Sequence, residues 1–124
     1  MARPRGNVPR AAVAFNEQWW DTDTGRLPRP VRDLAARTRR ALERDGLALD
    51  PAAVYRCDPE GRDGTSLPNC VKVYLDDHRI VFEVTRNAHG RLVLTYLALG
   101  PGHPPATGRQ PSVYQTADRR LHGR

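Results

Sequence analysis

The chain holds one lysine (Lys72), two cysteines and no long apolar run. No stretch approaches the roughly 20 residues that a membrane-spanning helix needs. The longest clean one, Leu92 to Leu99, has the length of a strand. Ala11 to Phe15 is too short for the apolar core of a signal peptide. The expectation is a cytoplasmic protein with no membrane partner. Cys57 and Cys70 are too few to frame a secreted domain, and cytosolic thiols stay reduced. They bracket a polar loop, so a bridge at its base is geometrically open, but the apolar pattern is sufficient for folding without it. No paired CxxC or HxxxH spacing supplies the ligands of a zinc site. No GxSxG elbow or HExxH motif is present, and Gly100-Pro101-Gly102 does not lead into the Lys-Ser/Thr helix start of a phosphate loop. Neither a metal nor a cofactor is therefore expected.

What is there fits one domain. The chain has 124 residues, 39% hydrophobic and 27% charged, too long a pattern for disorder and too short a chain for two cores. Residues 1–10, with Arg3, Arg5 and Arg10 among Pro and Gly, read as a flexible basic arm; residues 11–124 read as the domain. The net charge is +6, and all but one of the 20 Lys and Arg residues are arginine. A surplus of this size favours an anionic partner such as RNA, DNA or an acidic protein, against the plainer reading of a solvated basic surface.

The elements follow from periodicity. Ala11 to Phe15 is a candidate first strand. Asn16 suits a helix N-cap and Glu17 the first turn of a helix that carries Trp19 and Trp20 to about Thr24, where Gly25 and Pro28 stop it. A second helix opens on Pro30 and ends at Gly46. Its apolar face is Val31, Leu34, Ala35, Thr38, Ala41 and Leu42, at helical period. Residues 47–69 are rich in turn pairs and read as a solvated loop, with Val54-Tyr55-Arg56 as a brief strand. Asp58, Glu60 and Asp63 lack the order of an EF-hand loop.

At Cys70 the period changes to two. Val71, Val73 and Leu75 alternate with Lys72 and Tyr74; after a turn at Asp76-Asp77-His78, Ile80, Phe82 and Val84 alternate with Val81 and Glu83. Leu92 to Leu99 is apolar on both faces apart from Thr95, as a central strand covered on both sides would be. Short turns make these three strands antiparallel neighbours in sequential order. Ser112 caps a last helix, with Gln115 completing a capping box and Val113, Ala117 and Leu121 as the apolar stripe. Arg119, Arg120 and Arg124 crowd its end. The fold class is α+β: an antiparallel meander packed on N-terminal helices, with a C-terminal helix.

The chemistry lies in which residues the meander gathers. Lys72 and Tyr74 share a strand face; Arg79 opens the next strand and Arg86 ends it. His103 follows the last strand, and Tyr114 enters on the first turn of the last helix. His78 and His89 fall at hairpin turns, where a histidine is usually solvated. Cleaving RNA without a metal needs a base for the 2′-hydroxyl, an acid for the leaving 5′-oxygen and cations for the phosphorane charge. Lys, Arg, His and Tyr can fill these roles. Taken singly, the tyrosines read as core-edge aromatics and the arginines as solvent caps.

Taken together, three segments resemble the RelE family of toxin–antitoxin endoribonucleases. Cys70-Val71-Lys72-Val73-Tyr74-Leu75 is like the family's lysine-bearing strand. His78-Arg79-Ile80-Val81-Phe82-Glu83-Val84 looks like its Arg-hydrophobic strand. Ser112-Val113-Tyr114, with Ala117 and Arg119-Arg120-Leu121, looks like its Val-Tyr helix with a basic tail. The resemblance covers residues 70–121. It implies a RelE-like fold and a toxin that inhibits translation by cutting mRNA, on the ribosome if it behaves like the family, held in check by an acidic antitoxin. It implies Lys72 and Arg79 as cations at the scissile phosphate, Tyr114 as the group that stacks on or orients the target nucleotide, and His103 as the general acid. Arg86, Arg119 and Arg120 are the expected RNA-binding cations. Tyr74 departs from the pattern, standing where some members have a second lysine, and the 47–69 and 101–111 connections are long. The rival readings are a non-catalytic module of the same fold that binds nucleic acid or gyrase, and an accessory protein whose basic face meets an acidic partner.

Overall fold

The computed structural model describes residues 8–61, 64–102 and 110–123. Strand β1 (Arg10–Ala14) leads into α1 (Glu17–Thr24) and α2 (Arg29–Asp45). Two-residue strands β2 (Leu47–Ala48) and β3 (Tyr55–Arg56) precede the meander of β4 (Cys70–Leu75), β5 (His78–Arg86) and β6 (Leu92–Pro101). Helix α3 (Val113–Leu121) closes the chain.

The helix ends follow local chemistry. The Asn16 carboxamide oxygen accepts from the Trp19 N–H at 3.0 Å, satisfying one of the donors a helix start leaves open. Pro30 occupies the first turn of α2, and Gly46 ends that helix at φ +70°, a conformation that costs an L side chain. The Ser112 hydroxyl accepts from the Gln115 N–H at 3.3 Å, and the Gln115 side chain accepts from the Ser112 N–H at 3.0 Å, so the capping box of α3 is complete.

The meander lies within a larger mixed sheet, ordered β2-β1-β6-β5-β4-β3. β4, β5 and β6 pair antiparallel in sequential order. β1 lies parallel to β6, with Val13 opposite Leu94. The parallel pairing needs a long crossover, here begun by α1 and α2. β6 is thereby central: Leu94 and every residue from Tyr96 to Gly100 are buried.

Two cores lie on the two faces. On one, α1 and α2 bring Trp20, Leu27, Ala35 and Leu42 onto Ile80, Phe82, Leu94 and Tyr96. On the other, α3 brings Val113 and Ala117 onto Val81, Leu97 and Ala98. A bulge lets β6 serve both. Val81 pairs with Ala98 and Phe82 with Tyr96, which leaves Leu97 as the extra residue. Leu97 and Ala98 both join the α3 core, and Tyr96 and Leu99 the other.

Two expectations are corrected. The 47–69 connection is not simply solvated: Cys57, Thr65 and Leu67 are buried, and it docks on α3. The Ser66 N–H donates to the Asp118 carboxylate at 2.9 Å, and a His122 ring nitrogen lies 2.9 Å from the Ser66 carbonyl. Leu67 and Cys57 need that cover because they would otherwise expose apolar surface. His78 is not a turn residue in water. It is the first residue of β5, half-buried, paired with Leu75 and Pro101. The two cysteines are buried and free. No helix among the described residues is long and apolar enough to cross a membrane.

Candidate functional site

Strand parity decides which side chains can meet. Cys70, Lys72 and Tyr74 have the opposite parity to Val71, Val73 and Leu75, so they lie on the α3 face of β4. In β5 the same face takes Arg79, Val81 and Glu83. Register then aligns them: Tyr55 is opposite Lys72, Lys72 opposite Val81, and Tyr74 opposite Arg79.

Two cation–aromatic pairs result. The Lys72 ammonium lies 5.1 Å from the centre of the Tyr114 ring. The Arg79 guanidinium lies 3.8 Å from the centre of the Tyr74 ring. Such contacts contribute roughly 0.5–1 kcal/mol when exposed and about 2 when desolvated. Tyr114 is held there because the capping box fixes the start of α3 one residue after Ser112, while Val113 and Ala117 anchor the helix to the sheet. Lys72 is half-buried.

Arg79 is held from three sides. One terminal nitrogen donates to the Asp76 and His78 carbonyls, each at 2.9 Å. A Cβ added at Gly102 would stand 3.5 Å from the guanidinium, so the backbone of Gly102 rests against it. Among the described residues, the other guanidinium nitrogens of Arg79 have no hydrogen-bond partner, so donors remain for a phosphate. Glu83 brings a carboxylate to the same face, opposite Cys70.

The other expected residues separate. His103 lies outside the described residues, although it follows Gly102 directly. Arg86 has the parity of Ile80, Phe82 and Val84. It is therefore on the opposite face, seven residues or roughly 23 Å along the strand from Arg79, and it donates to the Gly90 carbonyl. Arg119 is exposed on α3. Arg120 is corrected from a surface cation to an internal strut. Its guanidinium donates to the Asp23 carboxylate at 2.7 and 2.9 Å and to the Leu97 carbonyl at 2.7 Å. Leu97 is the extra residue of the bulge.

Asp23 was not singled out in the sequence. It is 4% exposed, and besides Arg120 it accepts from the Leu99 N–H at 3.1 Å and from the Tyr96 hydroxyl. Burial, then the neighbouring Asp23 charge, pushes the Tyr96 phenol far up from its ordinary value. The signal was its spacing: Trp20, Asp23 and Leu27 share one face of the α1 region. Tyr55 was also missed as a site residue. Its ring stacks on Tyr74 with centres 4.7 Å apart.

Burial pushes the Cys57 thiol up to about 11, although Lys72 nearby pulls it down; burial and the Cys57 neighbour push Cys70 up to about 12. Neither is a nucleophile near neutral pH. Among the described residues, no group of three His, Cys, Asp or Glu side chains is arranged to hold a metal ion.

No protein-family model matches the chain, and no curated protein matches it. Among solved structures, it is similar to the E. coli toxin RelE, determined in the free state as a mutant with two arginines replaced by alanine. The two share 16% sequence identity over 90% of this chain and 98% of that chain, with a TM-score of 0.46.

Proposed function

We propose that this chain is the toxin of a toxin–antitoxin pair and cleaves mRNA without a metal, on the ribosome, until an acidic antitoxin binds it. The observation that carries the reading is the gathering of Lys72, Arg79 and Tyr114 on one sheet face, with two cations beside aromatic rings. The sequence segments that resemble the RelE family supply these same residues.

In the proposed reaction the 2′-hydroxyl loses its proton and attacks the adjacent phosphorus. The bond to the 5′-oxygen breaks, leaving a 2′,3′-cyclic phosphate and a 5′-hydroxyl end. Lys72 and Arg79 offset the charge that builds on the phosphorane oxygens. Tyr114 stacks on the target base and orients its ribose. His103, next to the Gly102 backbone that rests against Arg79, protonates the leaving oxygen. The 2′-proton passes to solvent water.

The test is expression in a host lacking the antitoxin, followed by mapping of 5′ ends on ribosome-bound mRNA by primer extension. Growth arrest with new 5′-hydroxyl ends is expected. Arrest without new ends, with graded relief from many arginine substitutions, would replace cleavage with the binding-module reading.

A further inference from the structure

We infer that the Tyr55–Tyr74 pair is a second nucleotide platform, on which an unpaired RNA base stacks beside the nucleotide held at Lys72 and Tyr114. The inference rests on the proposed reading of this face as RNA-binding, and it names what that face binds: a single strand, gripped at two successive positions.

Tyr55 and Tyr74 are 40% and 49% exposed, and with Val8 they are the exposed large hydrophobics among the described residues. They are not scattered. Their rings lie 4.7 Å apart at 22°, a diagonal contact between neighbouring strands that long side chains can make. Arg79, on the other flanking strand, covers Tyr74 at 3.8 Å. In sheet order the stack therefore runs Tyr55, Tyr74, Arg79, across β3, β4 and β5.

The outer end of that stack is open. β3 is the last strand of the sheet, and among the described residues Tyr74 is the one ring stacked on Tyr55. The Tyr55 hydroxyl donates to the Ala52 carbonyl at 3.3 Å, which fixes the ring's tilt. A flat, pre-ordered aromatic face costs little entropy on binding, and every base has a surface to match it.

Charge decides the class of occupant. Lys72 stands directly across from Tyr55 in register, and Arg79 caps the far end. A phosphodiester beside the stacked base meets Lys72, and Arg79, at the opposite end of the stack, is left to the phosphate at the proposed cleavage site. Asp76 and Asp77 lie at the β4–β5 turn beyond Tyr74, so the strand is repelled there and runs from Tyr55 toward Lys72 and Tyr114. Lys72 and Tyr74, two residues apart on one face, are separated by about 7 Å, close to the reach of one extended nucleotide.

The experiment is fluorescence anisotropy of the full chain with a dye-labelled, fully 2′-O-methylated hexanucleotide of mixed sequence, which lacks the attacking hydroxyl. Tyr55→Ala is expected to weaken binding about 5- to 150-fold, the range for losing one base–aromatic stack. Tyr55→Leu, apolar but without a ring, should weaken it similarly, and Tyr55→Phe should stay within about threefold of wild type. A duplex of the same sequence should show no dependence on Tyr55. Unchanged hexanucleotide binding by folded Tyr55→Ala and Tyr55→Leu would overturn the platform, as expected if the pair docks a protein instead, and the cleavage reading would stand if new 5′ ends still appear. Tyr55-dependent binding by a wild type that cuts nothing would keep the platform and remove the nuclease. No wild-type binding to either oligonucleotide overturns the platform.

Discussion

Asp23 shows how much one side chain can decide. Its buried carboxylate ties α1 to the β6 backbone through the Leu99 N–H and to α3 through Arg120. Removing one partner of a buried ion pair strands the other charge, at about 3–5 kcal/mol, more than the pair itself stabilises. Asp23→Ala should lose about that much stability in urea unfolding, and Asp23→Leu combined with Arg120→Met should lose less. Equal losses would mean the charge pairing is not what holds α3. The His78 ring gives a pH sign. Burial lowers it, although Asp77 and Asp76 act the other way, and among the described residues its buried Nδ1 has no hydrogen-bond partner. The unfolded chain then binds the proton more readily than the folded one. The contribution is present above the ordinary value of 6.5 and lost as pH falls below it. Stability should decline below pH 6.5 in wild type and less so in His78→Asn; equal slopes would contradict the assignment. The cysteines give a rate. A thiol lifted from 9 to about 11 holds about a hundredfold less thiolate at pH 8. Iodoacetamide should label native Cys57 at least that much more slowly than the unfolded chain, as read by mass spectrometry. The sequence favoured free thiols for a different reason, since two cysteines are too few to frame a secreted domain and cytosolic thiols stay reduced; their burial is what the fold adds. Helical spacing with Trp20 and Leu27 marks Asp23 as inward-facing, but nothing local points to its partner, an arginine 97 residues away.

At the scale of elements, local chemistry was legible and long-range pairing was not. Asn16, Pro30, Gly46 and the Ser112–Gln115 box act within a turn of themselves, so the helix boundaries could be read directly. β1 was visible as a strand, but its parallel partner was not, since pairing across 81 residues leaves no periodic mark. The β6 bulge was hidden too: an apolar run on both faces looks the same with or without an extra residue. The loop after β3 was misread because its buried residues, Cys57, Thr65 and Leu67, sit singly among turn formers. Gly46 offers the sharpest test at this scale. It combines φ +70° with a Cβ position 2.6 Å from the Ala11 carbonyl oxygen, so alanine meets both backbone strain and a clash with β1. Gly46→Ala should cost about 1–3 kcal/mol, whereas Ser112→Ala should cost about 1. Thermal melts should rank them in that order; a neutral Gly46→Ala would show that α2 does not seat against β1 as described.

For the whole molecule, the sheet turns a sequence separation of more than 40 residues into one face. Lys72 and Arg79 arrive on neighbouring strands, and α3 returns Tyr114 to them. The residue types and strand parity made that gathering legible, while the covering of Tyr74 by Arg79 and Tyr55 depended on register at a two-residue edge strand. The opposite face carries Arg86, and the interior takes Arg120, so the +6 charge is not spread evenly in function. A site of this kind predicts an uneven response to removing arginines. The direct measurement is the single-turnover cleavage rate of ribosome-bound mRNA by wild type, Lys72→Ala, Arg79→Ala, Tyr114→Ala and, as a charge-matched control, Arg44→Ala on the exposed end of α2. Loss of a preorganised cation at the phosphorane costs about 100- to 1000-fold in rate, and Arg79→Ala should lose that much while melting within a few degrees of wild type. Lys72→Ala and Tyr114→Ala should also fall well below wild type, and Arg44→Ala should stay within a few-fold. No cleavage by wild type, or equal modest losses from Arg79→Ala and Arg44→Ala, would contradict the account.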